Sequence, residues 1–459
     1  MRVFKKQPFK NRSKTVITHF SGFHLTERKK GVLCASESKN CEIHDGILMA
    51  GLGGSPWKNG EGYVPKTTGL PMETQFFYIP GLDASNRPMD EVGAIGLDNG
   101  VFYLYDTYSG EWVSMHTFSK PVRNVYIVDE EGVRRSVFIG EEGLYLYTYG
   151  DALTTTEWKN LGNKAHLACS QQGRLFFVEE PYTIRYSAPF NARDIAHSLE
   201  NGGGIKVPSD CGEIIDLVAF DEKVYIFYEK GIAYLKPSGF ASDFVVRTVP
   251  YRYGRIYPNS IGVCGTRLFF LTEHGLCAMK KDEIKRVCTN LPIFPNRENI
   301  KCSHSACSGR FLLVYKGVDS GDKCVVAYED QDDGYFSFTP SKLSDCIGTA
   351  LCGCDGKIWQ LWVGGEMPNV GYRRFTVKEL PFEEKGARVV TKLRFEGEGS
   401  IWVTFKNDEN SQSFLVTMSK GIGEKTMRTF GKNFSITLEL EDNTLIRTMS
   451  LESSMPIKD

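Results

Sequence analysis

From residue 212 to residue 280 a short pattern of apolar and polar positions is written twice. The run EIIDLVAF leads into the polar turn Asp221-Glu222-Lys223, the run VYIFY, the turn Lys230-Gly231 and the run IAYL. After a polar connection ending RTVPYRYGRIYPNS, the runs IGV, RLFFL and LCAMK repeat it around Cys264-Gly265-Thr266 and His274-Gly275. Short apolar runs separated by tight polar turns predict antiparallel strands joined as a meander. In Val224-Tyr225-Ile226-Phe227-Tyr228 and Leu268-Phe269-Phe270-Leu271 both parities are apolar, so these strands have to bury both faces of their sheet. One meander cannot do that by itself. Like sheets stacked against either face can.

The pattern extends in both directions. Upstream it reads QFFYI, GAIGL, VFYLYD and EWVSM, with turns at Asp98-Asn99-Gly100 and Tyr108-Ser109-Gly110; then NVYIV, RSVFIG, LYLYT and TEWKNL; then AHLACS, RLFFV, TIRYSAP and a return through Gly204-Ile205-Lys206-Val207. Downstream come NIKCSHSAC, RFLLVYKG, CVVAYED and YFSFTP, followed by DCIGTAL and KIWQLWVGG, a unit with only two strands. The turns between the first two strands of successive units fall at 132, 173, 222, 265, 309 and 356, and so recur every 41 to 49 residues. Four short strands at that period predict an all-β fold whose main body, residues 73–366, is a β-propeller of seven blades, or six if the Gln75 unit and the two-stranded unit merge. Two successive β-sandwich domains are the other reading of the same strands.

A two-stranded last blade leaves an open edge, which invites aggregation. The N-terminal arm, residues 1–72, is expected to supply the closing strands, from around Thr15 to Phe23 and Ile43 to Gly51. The stretch from Gly51 to Gly69, rich in glycine with Pro56 and Pro65, reads as a surface loop. Beyond about residue 366 the pattern changes to strict alternation, as at Phe434, Ile436, Leu438 and Leu440. One face in and one face out predicts a small antiparallel β-sandwich over residues 367–459. The best short helical candidate runs from Ala192 to Glu200.

Composition narrows the function. The 459 residues are 41% hydrophobic and 12% aromatic, with a formal net charge of −1. Bulk charge therefore gives no reason to expect a membrane surface or specific nucleic-acid binding. No apolar run approaches the roughly 18 residues of a membrane span, and the basic N-terminus lacks the apolar core of a secretion signal. Thirteen cysteines, an odd number without framework spacing, read as buried thiols of a reducing compartment.

Candidate chemistry is sparse. Cys302, His304 and Cys307, with Cys352 and Cys354, have the right ligand types for zinc, but no pair sits on the turn that zinc sites use. His19, His24 and His44 have no implied partner. Paired acids at Glu130-Glu131, Glu141-Glu142 and Asp332-Asp333 lie in turns, where solvated carboxylates are expected, so the spaced pair of a glycosidase is not indicated. Gly202-Gly203-Gly204 does not join a strand to a helix and is no phosphate loop. Tyr63, Tyr108 and Trp57 could stack on a sugar, although packing is the commoner role of such aromatics. No catalytic, cofactor-binding or metal residue is assigned, and the chain is expected not to be an enzyme.

One passage carries a resemblance. Arg185-Tyr186-Ser187-Ala188, then Gly204-Ile205-Lys206-Val207-Pro208, Glu213-Ile214-Ile215, Leu217, Phe220, Lys223-Val224-Tyr225 and Gly231-Ile232, resembles bacteriophage virion proteins of the tail or head–tail region. Phe20-Ser21-Gly22, Asn40 and Asp45-Gly46-Ile47-Leu48 are similar to the start of such proteins, and Arg388-Val389-Val390, Leu393, Phe395, Gly397, Gly399, Gly431 and Phe434 to their closing domain. The resemblance implies a propeller-bearing tail hub or stabilisation protein, made in the host cytoplasm and built into the virion. Its partners would be copies of itself around the tail axis and neighbouring portal or adaptor proteins. A receptor- or glycan-binding propeller is the alternative, and a glycan hydrolase a weaker one.

Overall fold

Two-residue turns set the local geometry. In a computed structural model of the chain, Gln172-Gly173, Asp221-Glu222 and Ser308-Gly309 all have positive φ at both positions, the backbone of the type I′ turn whose twist matches that of a hairpin. Each joins strands in register, with Gln171 opposite Arg174, Phe220 opposite Lys223 and Cys307 opposite Arg310. The structure describes residues 12–21, 31–51, 53–58, 62–71, 74–82, 88–96, 99–106, 108–118, 123–128, 134–140, 143–147, 159–160, 165, 167–195, 202–237, 243–296, 302–319, 321–337, 351–354, 356–361, 373–382 and 386–455. They form an all-β molecule of many small sheets. Of the helical candidate, residues 192–195 are not helical and the remainder lies outside the described residues.

Six sheets have four antiparallel strands in chain order. Sheet I is Thr74–Leu82, Pro88–Gly96, Val101–Asp106 and Glu111–Thr117; sheet II is Arg123–Val128, Arg134–Gly140, Gly143–Tyr147 and Lys159–Asn160. Sheet III is Ala168–Gln171, Arg174–Glu180, Thr183–Tyr186 and Gly203–Lys206; sheet IV is Ile214–Phe220, Lys223–Tyr228, Gly231–Leu235 and Val246–Val249. Sheet V is Gly262–Cys264, Arg267–Thr272, Gly275–Lys280 and Glu283–Arg286; sheet VI is Cys302–Cys307, Arg310–Lys316, Asp322–Tyr328 and Tyr335–Ser337. Sheet VII holds Leu351–Cys354 and Lys357–Leu361, to which Gly54–Pro56 adds a third strand.

The doubly apolar second strands divide their side chains between two neighbours. Leu268 and Phe270 pack with sheet IV, whereas Phe269 and Leu271 pack with sheet VI. Val224 and Ile226 face sheet III while Tyr225 and Phe227 face sheet V. Leu175 and Phe177 share a core with Val137 and Ile139 of sheet II, and Phe138 turns the other way, onto Phe77 and Phe102 of sheet I. Leu312 and Val326 of sheet VI meet Trp359 and Leu361 of sheet VII. Ile358 and Leu351 of sheet VII join Trp57 and, from sheet I, Phe76, Val92 and Ala94. Every sheet therefore has an apolar core on each face, and the last core returns to sheet I. With about 1.5–3 kcal/mol gained per fully buried large apolar side chain, these intersheet cores are the main cohesive term.

Two larger sheets share one further core. Sheet VIII runs in the order Ile422–Gly431, Arg388–Glu398, Leu445–Ser454, Ile47–Ala50, Cys41–His44, with Ser13–Ile17 also paired to Leu445–Ser454. Sheet IX runs Ser411–Thr417, Ser400–Lys406, Ser435–Leu440, Arg374–Val377, Glu37–Lys39. Between them lie Ile17, Phe20, Leu33, Cys41 and Leu48 from one chain end, and Phe375, Leu393, Phe395, Val403 and Met449 from the other.

This corrects two expectations. The strands around 15–23 and 43–51 do not complete the seventh sheet: Ser13–Ile17 lies along Met449–Ser453, and Leu48 and Met49 pair with Ile446 and Leu445. The physical reason is their burial, since Ile17, Phe20, Ile43 and Leu48 complete the apolar inner face of sheets VIII and IX. The supposed loop from Gly51 to Gly69 instead contains the third strand of sheet VII, with Ser55 opposite Gln360 and the Trp57 N–H donating to the Ile358 carbonyl at 2.9 Å. Three residues containing glycine and proline carry no readable period. Trp57, only 6% exposed, anchors them.

Candidate functional site

A basic residue opens the second strand in sheets III to VII: Arg174, Lys223, Arg267, Arg310 and Lys357. It follows the two-residue turn directly, so it sits at one end of its sheet and is placed to reach across to another element. The Arg174 Nη1–H donates to the Ser187 carbonyl at 2.8 Å, with its guanidinium 5.5 Å from the centre of the Phe244 ring. Lys223 Nζ donates to Asp282 of sheet V at 2.6 Å, and the Tyr225 hydroxyl donates to the same carboxylate at 2.5 Å. Partial burial works against ionisation of Asp282, but these two donors more than offset it and hold the carboxyl below its ordinary pKa. Arg267 Nη1 reaches sheet VI, donating to Asp332 at 2.9 Å and to the Gln331 carbonyl at 3.0 Å.

In sheet VI the same position reaches the N-terminal segment. Arg310 donates through Nε to Glu42 at 2.7 Å, with its Nη2 at 2.6 Å from the same oxygen. Glu42 is 5% exposed, which makes this a buried ion pair 268 residues apart in sequence. Burial alone would lower the Arg310 pKa; the Glu42 carboxylate reverses that and raises it. Around the pair, the His44 Nε2 is 3.0 Å from Asp330, Gln331 donates to the Ile43 carbonyl and accepts from the Asp45 N–H, each at 3.1 Å, and the Ser337 hydroxyl donates to Asn40 at 3.4 Å. Strand Cys41–His44 of sheet VIII, with its flanking residues Asn40 and Asp45, is thereby bolted to sheet VI. Burial and the neighbouring Tyr335 and Glu42 push the Tyr328 phenol far above its ordinary pKa, so it stays neutral here.

Turn glycines make the close approaches possible. Gly265 has φ +55, and a Cβ there would fall on the Glu329 carboxylate, which accepts from the Thr266 N–H at 2.9 Å. In sheet III a Cβ at Gly203 would meet the Tyr186 ring, 2.8 Å from its Cζ. That contact accounts for Gly203, and a Cβ at Gly202 would meet the Asp194–Ile195 backbone at 2.8 Å.

The other candidates are dispersed. Cys302 lies in the core between sheets V and VI, burial pushing its thiol up to about 12, and His304 on the same strand sets its Nδ1 2.9 Å from the Asn259 carbonyl. Cys307 and Cys352 pack on the opposite face, between sheets VI and VII. The side chain of Cys354, His24, Glu130-Glu131 and Glu141-Glu142 lie outside the described residues. Asp332 is taken by Arg267 and Lys285. Trp57 is core, whereas Tyr63 and Tyr108 are exposed. Among the described residues no three His, Cys, Asp or Glu side chains are gathered as metal ligands. Sequence reasoning missed the Glu42–Arg310 junction. Its available signal was the recurrence of Arg or Lys immediately after the first turn of sheets III to VII, which marks one partner of a contact and leaves the other unspecified.

Several of the residues that carry the virion-protein resemblance are packing residues. Tyr186, Val207, Ile214, Leu217 and Val224 belong to the core between sheets III and IV.

No protein-family model matches the chain, and no curated protein matches it. Among solved structures it is similar to virginiamycin B lyase from Staphylococcus aureus, at 12% identity and a TM-score of 0.41 over 63% of this chain and 99% of that one. It is also similar to the WD40 domain of SCAP from fission yeast, at 10% identity and 0.34 over 79% and 88%, and to an exo-β-1,3-galactanase from Phanerochaete chrysosporium, at 10% and 0.29 over 87% and 99%. Likeness at this level transfers no activity. The architecture rests on the pairing and cores of this chain.

Proposed function

We propose that sheets I to VII are the blades of a closed seven-bladed propeller, that sheets VIII and IX form a sandwich built from both chain ends, and that the whole is a non-enzymatic structural component of a phage virion. The observation that carries the ring is the cycle of cores: each sheet shares one with the next, and Trp57 with Ile358 returns the cycle to Phe76 and Val92. The sandwich is supported by its single continuous core and by the buried Glu42–Arg310 pair that braces it on the sixth blade. A disc packed on every face and tied at its rim resists shear, which suits a scaffold. The phage setting rests on the resemblance of residues 185–232 and of the two chain ends. It implies several copies joined to portal, adaptor or tail proteins.

Mass spectrometry of purified particles tests this. The intact chain should be present in a fixed ratio to the portal protein, and particles made without it should be tailless or unstable and unable to infect. Absence from infectious particles overturns the virion reading.

A second reading, a glycan-binding tail propeller, has one observation in its favour. On the outer face of sheet IX, Trp402 is 48% exposed and stands opposite Leu415, also exposed. Beside them the hydroxyls of Thr404 and Ser413 pair at 2.9 Å. Loss of surface-polysaccharide binding on Trp402→Ala, with particle assembly intact, would favour it.

A further inference from the structure

The bulk charge of −1 hides a local excess of cations on sheet V. Its third and fourth strands are joined by a tight turn with positive φ at both Lys281 and Asp282. Beside this turn a cleft of about 230 Å³ is lined by Arg267, Lys280, Lys281 and Lys285, together with Ala278, Met279 and the carboxylate residue Glu283. Lys280 and Lys281 are exposed and have no ion-pair partner among the described residues. Lys285 is held at 2.8 Å by Asp332, which also holds Arg267.

Arg267 is the distinctive member. It is 8% exposed, its Nη1 is fully used by Asp332 and the Gln331 carbonyl, and its buried Nε–H has no acceptor. Like charges crowded around it repel one another, which a bound anion relieves. Ammonium groups on flexible stems beside a guanidinium match the charge of a tetrahedral oxyanion of charge two or more.

We propose that this cleft on sheet V binds a phosphate group, with Lys280 and Lys281, unpaired among the described residues, as its mobile clamps beside Arg267 and Lys285, which Asp332 holds in place. The group arrives either as free phosphate or as the ester of a larger molecule, and both present the same oxygens. This site is independent of the virion reading, because it rests on side chains of sheet V alone.

Isothermal titration calorimetry of the full chain with inorganic phosphate, glycerol 3-phosphate and tripolyphosphate tests it and separates the sources. Tripolyphosphate should bind most tightly, and its affinity should fall steeply with added salt, as expected when several cations are neutralised together. Preference for glycerol 3-phosphate over inorganic phosphate identifies an ester site; the reverse identifies free phosphate. The double variant Lys280→Glu/Lys281→Glu should weaken binding by about tenfold or more, while Lys406→Glu on sheet IX, with an equal charge change per site, should leave it unaltered. Glu283→Gln removes the lining carboxylate and should tighten binding, a gain that unfolding cannot produce. The proposal is overturned if none of the three probes binds at millimolar concentration, or if Lys406→Glu weakens binding as much as the double variant does.

Discussion

Glu42 is the residue on which the most depends for its size. Its carboxylate is buried, and replacing it with the isosteric amide leaves the Arg310 guanidinium in a low-dielectric junction without a counter-charge. Glu42→Gln should therefore cost about 3 kcal/mol, at the lower end for a broken buried pair because Arg310 keeps some access to water. Replacing both residues with apolar side chains of similar volume, Glu42→Leu with Arg310→Met, should recover most of that loss in a urea titration. Failure of the double variant to recover would mean that the pair serves orientation more than stability. Asp282 makes a prediction about pH. Its folded pKa is lowered by Lys223 and Tyr225, so its contribution is fully present above the unfolded value near 4 and is lost as pH falls through the lowered folded value. Between about pH 4 and the acid limit, Asp282→Asn should show a shallower decline of melting temperature than the parent chain.

At the scale of an element, strand Gly54–Pro56 is not self-sufficient. Three residues form too little ladder to hold by themselves, and Pro56 offers no N–H. What fixes the strand is the next residue, since the Trp57 ring fills the core shared by sheets VII and I while its N–H binds Ile358. Trp57→Ala should cost about 3–5 kcal/mol, the usual range for emptying a buried tryptophan site. The loss of hydrogen-exchange protection should appear first in Lys357–Leu361 and then in Thr74–Leu82. Trp402→Ala, at an exposed position, should stay within about 0.5 kcal/mol. Equal destabilisation by the two would remove the anchoring role from Trp57.

For the whole molecule, the consequence of the strand pairing is that strands from residues 13–17, 37–50 and 374–454 share two sheets and one core. Deleting residues 1–50 strips Ser13–Ile17, Glu37–Lys39, Cys41–His44 and Ile47–Ala50 from sheets VIII and IX and exposes the apolar core face that they cover. Limited proteolysis of the truncated chain should digest residues 374–455 while residues 74–361 persist, because Gly54–Pro56 still completes sheet VII. Extending the deletion through residue 58 should destabilise both parts. Adding residues 1–50 back as a separate peptide should restore protection of the C-terminal strands. Resistance of residues 374–455 in the shorter deletion would show that the two chain ends fold independently.

Much of this architecture was legible without coordinates because its determinants are local. The two-residue turns, the apolar parity of Val224–Tyr228 and Leu268–Leu271, and the strict alternation after residue 434 each depend on neighbours a few positions away. The strands accordingly fall where these patterns place them. The basic residue after the first turn of sheets III to VII was equally visible, yet its partner was not, since Asp282, Asp332 and Glu42 are distant in sequence and sit in turns or strands with no motif of their own. Tertiary structure alone decided which strands the N-terminus would join. Ser13–Ile17 and Ile47–Ala50 are generic amphipathic strands that would fit many open edges, and their destination was set by which edge also had an apolar core to complete. The same holds for Gly54–Pro56, whose place comes from a tryptophan one residue on. A pattern of period two fixes a strand and its faces, but pairing between distant segments is chosen by the free energy of the shared core, which no short stretch contains.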